Sequence, residues 1–226
     1  MIEQLETIEV QTGAEPSHSV IWLHGLGADG HDFEPIVGQL GLPRGTAVRF
    51  VFPHAPVRPV TINGGIPMRA WFDILGIDRS AVQDEAGIRD SAERVRRLID
   101  RECDRGIEER NIVLAGFSQG GAIALHLGLR RAAPLAGIMA LSCYLPLTHR
   151  LAAEHDPAMN TTPVFVAHGS GDPVIPIGMG RAAYEAVAGL GLLAEWHEYP
   201  MPHAVCPEEI RDIAGWLGRV FDFASA

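Results

Sequence analysis

Short apolar runs alternating with helix-length segments govern what this chain can become. Residues 20–24, 48–53, 111–117, 137–142, 163–168 and 194–199 read as strands, and a more polar stretch at 3–11 reads as an edge strand. Between them, residues 31–40, 84–105, 119–131, 178–190 and 207–221 carry helical patterning. The last opens on Pro207, Glu208 and Glu209, which suit a first helical turn. Several strand runs are apolar throughout, as strands covered on both faces are. Alternation with crossover-length connections gives an α/β class, a mostly parallel central sheet flanked by helices. On such a sheet ligands sit beyond the carboxyl ends of the strands, so the residues that follow each strand are where chemistry is expected.

No linker, charge block or repeat divides the 226 residues, so residues 1–226 read as a single domain. A core of that size needs no staple. Cys103, Cys143 and Cys206 are widely spaced and odd in number, which argues against a disulfide framework or a zinc site. The net charge of −10 argues against nucleic acid as a partner, since phosphate backbones reward clustered Lys and Arg. The start of the chain is acidic, without the basic and apolar run of a secretory signal. No stretch is apolar for long enough to span a bilayer. A cytoplasmic protein without stable membrane insertion is the expectation.

Gly116-Phe117-Ser118-Gln119-Gly120 is a G-x-S-x-G motif set between a strand run and a helical segment, the context in which the motif has a mechanism. A serine on so sharp a reversal stands above the sheet, and the helix behind it aims its first amides at any anion formed there. The hydroxyl needs a base, and the base needs a partner that fixes its tautomer. Asp172 and His203 follow two later strands, in the order serine, acid, histidine expected of this arrangement. Alone, Asp172 is an ordinary turn residue before Pro173 and His203 a loop histidine; behind Ser118 they become the favoured pair. Of the competing histidines, His168 ends the strand before the acid and His197 alternates within a strand. His18, His149 and His155 read as exposed loop residues, and His126 as a helix residue.

A tetrahedral intermediate also requires two amide donors. One belongs to the residue after the nucleophile, Gln119. The other comes from the loop after an early strand, His24-Gly25-Leu26-Gly27-Ala28-Asp29-Gly30, which points to Leu26. His24 is expected to hold that loop by hydrogen bonds, with Asp29 and His31 as further candidates for orienting it. The same loop spells G-x-G-x-x-G, a dinucleotide fingerprint. That reading wants an acid about 20 residues on, and none occurs from Pro35 through Phe72. There is no H-E-x-x-H for a metallohydrolase either. Residues 57–75 fit no element, because Pro59, Pro67, Gly64 and Gly65 interrupt them. Their Met68, Trp71 and Phe72 suit either a packed surface loop or the wall of a binding site.

The loop at 24–30, the run Met68-Arg69-Ala70-Trp71-Phe72-Asp73, the serine motif, Gly171-Asp172-Pro173-Val174-Ile175-Pro176 and residues 199–209 together resemble bacterial carboxylesterases of the phospholipase/carboxylesterase group, relatives of the acyl-protein thioesterases. The resemblance implies an α/β-hydrolase fold, and the connection of about 20 residues between the strands ending near Ser142 and beginning near Pro163 is too short for a cap domain. The resemblance also implies a Ser118–Asp172–His203 triad, oxyanion amides at Leu26 and Gln119, and substrate contacts from Met68, Trp71 and Phe72. It implies no cofactor and no metal. Cys143 departs from the Gly or Thr common in that group and is expected to be a small buried side chain. The function expected is hydrolysis of short- to medium-chain acyl esters, with small-molecule esters and acylated protein as substrates. Acyl-protein thioesterase or lysophospholipase activity, or a silent binding scaffold, are the alternatives. The apolar residues 57–75 would permit a homodimer.

Overall fold

The structure is a computed structural model that describes residues 4–43, 45–76 and 82–223. Its centre is a seven-stranded sheet in the order β1 (Thr7–Gln11), β3 (Val48–Pro53), β2 (His18–Leu23), β6 (Ile112–Phe117), β7 (Gly137–Leu141), β8 (Val164–Gly169) and β9 (Ala194–Tyr199). Only β1 runs antiparallel, against β3. The two remaining strands, β4 (Val57–Val60) and β5 (Ile66–Arg69), form a separate ribbon. The described α-helices are α1 (Glu85–Asp104), α2 (Gln119–Gly128), α3 (Thr148–Glu154), α4 (Ile177–Gly189) and α5 (Pro207–Val220), joined by short 3-10 turns.

The central strands are buried at almost every position, and their alternate residues feed two cores. Ile21, Leu23, Ile112 and Leu114 pack with α1, α2 and α4. Val20, Trp22, Val113 and Ala115 pack with Ile36 and with Ile213, Trp216 and Leu217 of α5. The period of two along each strand thus distributes side chains to opposite faces, each covered by helix. Helix α1 turns a stripe of Ile88, Val95, Leu98 and Ile99 inward, and Asp84 caps it by accepting from the Gly87 amide.

The register aligns the carboxyl ends of the strands. Leu23 pairs with Gly116, Gly116 with Ala140, and Leu141 with Ala167. The segments after β2, β6, β7 and β8 therefore emerge side by side.

The helix expected at 31–40 is only a 3-10 turn, Glu34–Gln39. Pro35 supplies no amide there, Gly38 weakens the segment, and no side chain caps its start. Helix α2 stops at Gly128 instead of reaching residue 131. The edge strand is confined to Thr7–Gln11; of the stretch 3–11 expected to form it, Glu3 lies outside the described residues. Residues 57–75, which fit no element in the sequence, contain the ribbon. Pro59 lies opposite Pro67, and a two-stranded ribbon tolerates the missing amides because each strand has a free edge. Helix α3 and a 3-10 turn at Pro157–Thr161 fill the connection from β7 to β8. His149 consequently lies in α3, and His18 opens β2 with its ring against Phe221 and Phe223. His155 is half-buried, bonded to the Leu129 carbonyl and to Asn160.

Candidate active site

Ser118 joins β6 to α2 with φ 55° and ψ −121°, a conformation an L residue adopts only under strain. The turn is tight enough to require glycine on both sides. A Cβ on Gly116 would run into the backbone of Gly120, and one on Gly120 would run into the carbonyls of Leu23 and His24. The Ser118 amide donates to Leu141 O at 2.8 Å, which ties the reversal to the end of the neighbouring strand.

The three side chains expected to act together do meet. Ser118 Oγ lies 2.9 Å from His203 Nε2, and His203 Nδ1 lies 2.6 Å from Asp172 Oδ2. With Nδ1–H donating to the carboxylate, Nε2 is left bare to accept from the serine hydroxyl. Phe117 packs on the His203 ring at 4.7 Å between centroids, restricting its swing. Asp172 has a second oxygen, Oδ1, which accepts from the amides of Val174 at 2.8 Å and Ile175 at 2.9 Å. Three donors, the His203 ring and two amides, thus converge on one buried carboxylate and fix its orientation.

His168, the last histidine before the acid, sits beneath this turn without solvent contact. Its Nε2 lies 2.8 Å from the Ile175 carbonyl and 3.5 Å from Asp172 Oδ2, so the Nε2–H tautomer closes the loop that presents the two amides to Asp172. The acid and histidine loops also touch through backbone: the Gly171 amide donates to Met201 O at 3.1 Å.

On the other side of Ser118 lies the loop after β2. His24 is buried, and desolvation pulls its pKa down to about 4, so it is neutral near pH 7. Nδ1–H donates to the Gly25 carbonyl at 2.7 Å, and bare Nε2 accepts from the Ala55 amide at 3.0 Å. The loop-holding role expected of His24 is thus visible as two bonds that need one tautomer. Asp29 accepts from the His31 amide at 2.8 Å, while the His31 side chain pairs with Glu34 at the surface. Leu26 and Gln119 both border the cleft beside Ser118, and among the described residues neither amide is given to a protein acceptor.

The cleft encloses about 930 Å³. Phe72 forms part of its wall, as expected, but Met68 and Trp71 do not. Trp71 is fully buried behind the wall, and Met68 lies on β5 beside Gly27. Ile74 and Leu75, apolar residues of the same 57–75 segment, also line the cleft, and Tyr144, Leu145, Ile175 and Met179 supply further apolar wall to which the sequence assigned no role. Ile175 lies in the Gly171–Pro176 motif, and Tyr144, Leu145 and Met179 follow β7 or the acid loop, so position after a strand's carboxyl end is the signal the sequence offers for them. Cys143 is buried, and burial pushes its thiol pKa up, out of nucleophilic range.

The Phospholipase/Carboxylesterase family pattern matches residues 5–220. The chain belongs to that family. Within the Phospholipase/Carboxylesterase family it is 41% identical over 228 residues to Acyl-protein thioesterase 1 of Mycosarcoma maydis, covering 94% of this chain and 95% of the relative. Among solved structures it is similar to Arabidopsis thaliana SOBER1, with TM-score 0.85 and 30% identity over 90% of this chain and 98% of that one. Zea mays acyl-protein thioesterase 2 gives TM-score 0.85 and 27% identity over 96% and 99%. The fold is the α/β-hydrolase fold. A Phospholipase/Carboxylesterase with this fold is a serine hydrolase acting on esters or thioesters. The named relatives are fungal and plant proteins, and they lend no support to the bacterial placement expected from the motifs.

Proposed function

We propose that the chain hydrolyses short- to medium-chain carboxylic esters through a Ser118–His203–Asp172 relay and an acyl-enzyme. The observation that carries this reading is the continuous hydrogen-bonded line from Ser118 Oγ through His203 to Asp172, opening onto an apolar cleft. His203 Nε2 takes the hydroxyl proton as Ser118 Oγ attacks the substrate carbonyl. The amides of Leu26 and Gln119 receive the oxyanion, each worth about 2.7–4 kcal/mol in comparable sites. The imidazolium, steadied by Asp172, passes its proton to the leaving alcohol. Water activated by the same nitrogen then releases the acid and restores Ser118. The reading treats residues 1–226 as one domain, since the site segments follow strands of one sheet.

A second reading, cleavage of thioesters on acylated protein cysteines, is favoured by the 41% identical relative that bears the name acyl-protein thioesterase. The leaving thiolate would need less help from His203, while the acyl half would occupy the same cleft.

Labelling with a fluorophosphonate probe tests the catalytic reading. Wild-type protein should incorporate the probe stoichiometrically, and Ser118→Ala should incorporate none and lose at least about a thousandfold in kcat. A folded wild type that stays unlabelled would instead indicate a binding scaffold. Comparing p-nitrophenyl esters of rising chain length with an S-acylated peptide separates the two substrate readings.

A further inference from the structure

Gln119 has a second use besides its main-chain amide. Its side chain is buried, 3% exposed, and satisfied at both ends: Oε1 accepts from the Trp71 amide at 2.7 Å, and Nε2 donates to the Phe72 carbonyl at 2.7 Å. The segment it grips is bonded to the opposite side of the site as well. Trp71 Nε1 donates to the His24 carbonyl at 2.8 Å, and the Gly27 amide donates to the Arg69 carbonyl at 2.9 Å. Ser91 Oγ on α1 holds the Trp71 carbonyl from behind. The stretch from Arg69 to Phe72 is therefore fastened to both residues that offer oxyanion amides, Leu26 through its loop and Gln119 directly. From Phe72 the chain runs on through Ile74 and Leu75 as cleft wall.

We infer that the Gln119 side chain is a positioning residue that couples occupation of the acyl cleft to alignment of the oxyanion amides, and so sets the preference for longer acyl groups. This rests on the esterase reading above. An acyl chain pressed against Phe72 and Ile74 loads a wall that cannot shift without shifting Gln119 and the His24–Gly27 loop. Binding energy gained far from the carbonyl is thereby expressed as orientation at the carbonyl. An acetyl group offers little apolar surface to that wall and so gains little from the linkage.

The test compares p-nitrophenyl acetate and octanoate across pH for wild type, Gln119→Met and Gln119→Glu, with fluorophosphonate titration to count active sites. Gln119→Met removes both bonds. Its kcat/KM for octanoate should fall about tenfold further than for acetate, chiefly in kcat. Gln119→Glu keeps the shape. Ionised, it sets an oxygen against the Phe72 carbonyl. Protonated, it again accepts from Trp71 and donates to Phe72. Burial raises such a carboxyl's pKa, so the variant-to-wild-type ratio for octanoate should climb as pH falls, following one protonation. A loss of equal size for both esters, or a ratio flat with pH, overturns the inference. Should either variant fail to fold, Trp71→Phe deletes only the donor to His24. A smaller, octanoate-selective loss supports the coupling, and an indiscriminate one overturns it. Failure of wild-type labelling would strike the esterase reading itself, whereas labelled wild type with chain-length-blind variants strikes only this inference.

Discussion

At the scale of single residues, the site depends on imidazoles whose tautomers are set by their hydrogen-bond partners. His24 and His168 are buried imidazoles with opposite tautomers, one donating from Nδ1 to Gly25 and the other from Nε2 to Ile175. Neither reaches Ser118, yet each holds a loop that does chemistry. Replacing His168 with Leu frees the Ile175 carbonyl and loosens the turn whose amides hold Asp172. We expect kcat to fall about tenfold with little change in KM. His168→Gln, which can return an N–H to that carbonyl, should recover most of it. Steady-state kinetics on one p-nitrophenyl ester checks both variants; equal impairment of the two would refute the hydrogen-bond account.

At the scale of elements, α5 carries a titration that belongs to stability. Glu209 is fully buried in its first turn, and among the described residues neither oxygen meets a partner in good geometry. Desolvation pushes its pKa up to about 8, with the nearby Asp212 carboxylate adding to the rise and the Cys206 amide opposing it. The folded protein keeps a proton that the unfolded chain sheds near the ordinary 4.5. Stability contributed here is complete below that value and declines as pH rises toward 8, by a few kcal/mol in order of magnitude. Glu209→Gln should flatten this part of the pH–stability curve, measured by urea unfolding at pH 5 and pH 8, and should make the protein more stable at the higher pH. The sequence revealed much at this scale, because period and punctuation are local. The six strands from 20–24 to 194–199 and α1, α4 and α5 were legible to within a residue or two, and Ser118, Asp172 and His203, picked out by motif and order, lie within hydrogen-bond reach of one another. The ribbon at 57–69 was hidden by its prolines, which suit a two-stranded pair only because Pro59 faces Pro67. The 3-10 turn at Glu34–Gln39 shared its apolar spacing with a true helix. Trp71 was assigned to substrate, but its distance from the cleft depends on long-range bonds to His24 and Gln119 that no local pattern encodes.

At the scale of the whole molecule, two cores on opposite faces of one sheet hold the carboxyl ends level. Trp216 is buried on the α5 side with its ring 5.7 Å from Phe165 of β8, where a Cβ on Gly137 would collide with it. Trp216→Ala should cost about 3–5 kcal/mol in thermal or denaturant unfolding while leaving fluorophosphonate labelling of the surviving folded fraction intact. Loss of labelling in protein that remains folded would mean that this core also shapes the site. The division between sheet and cleft wall has a further consequence. Ser118, Asp172 and His203 are anchored by strand ends and backbone bonds, whereas Leu75 and Val174 stand at the cleft's rim with side chains turned largely to solvent. Exchanging the Val174 side chain, which lies outside the Phe72–Leu75 wall tied to Gln119, leaves the reacting machinery untouched, so the breadth of the entrance can be altered there without altering the chemistry.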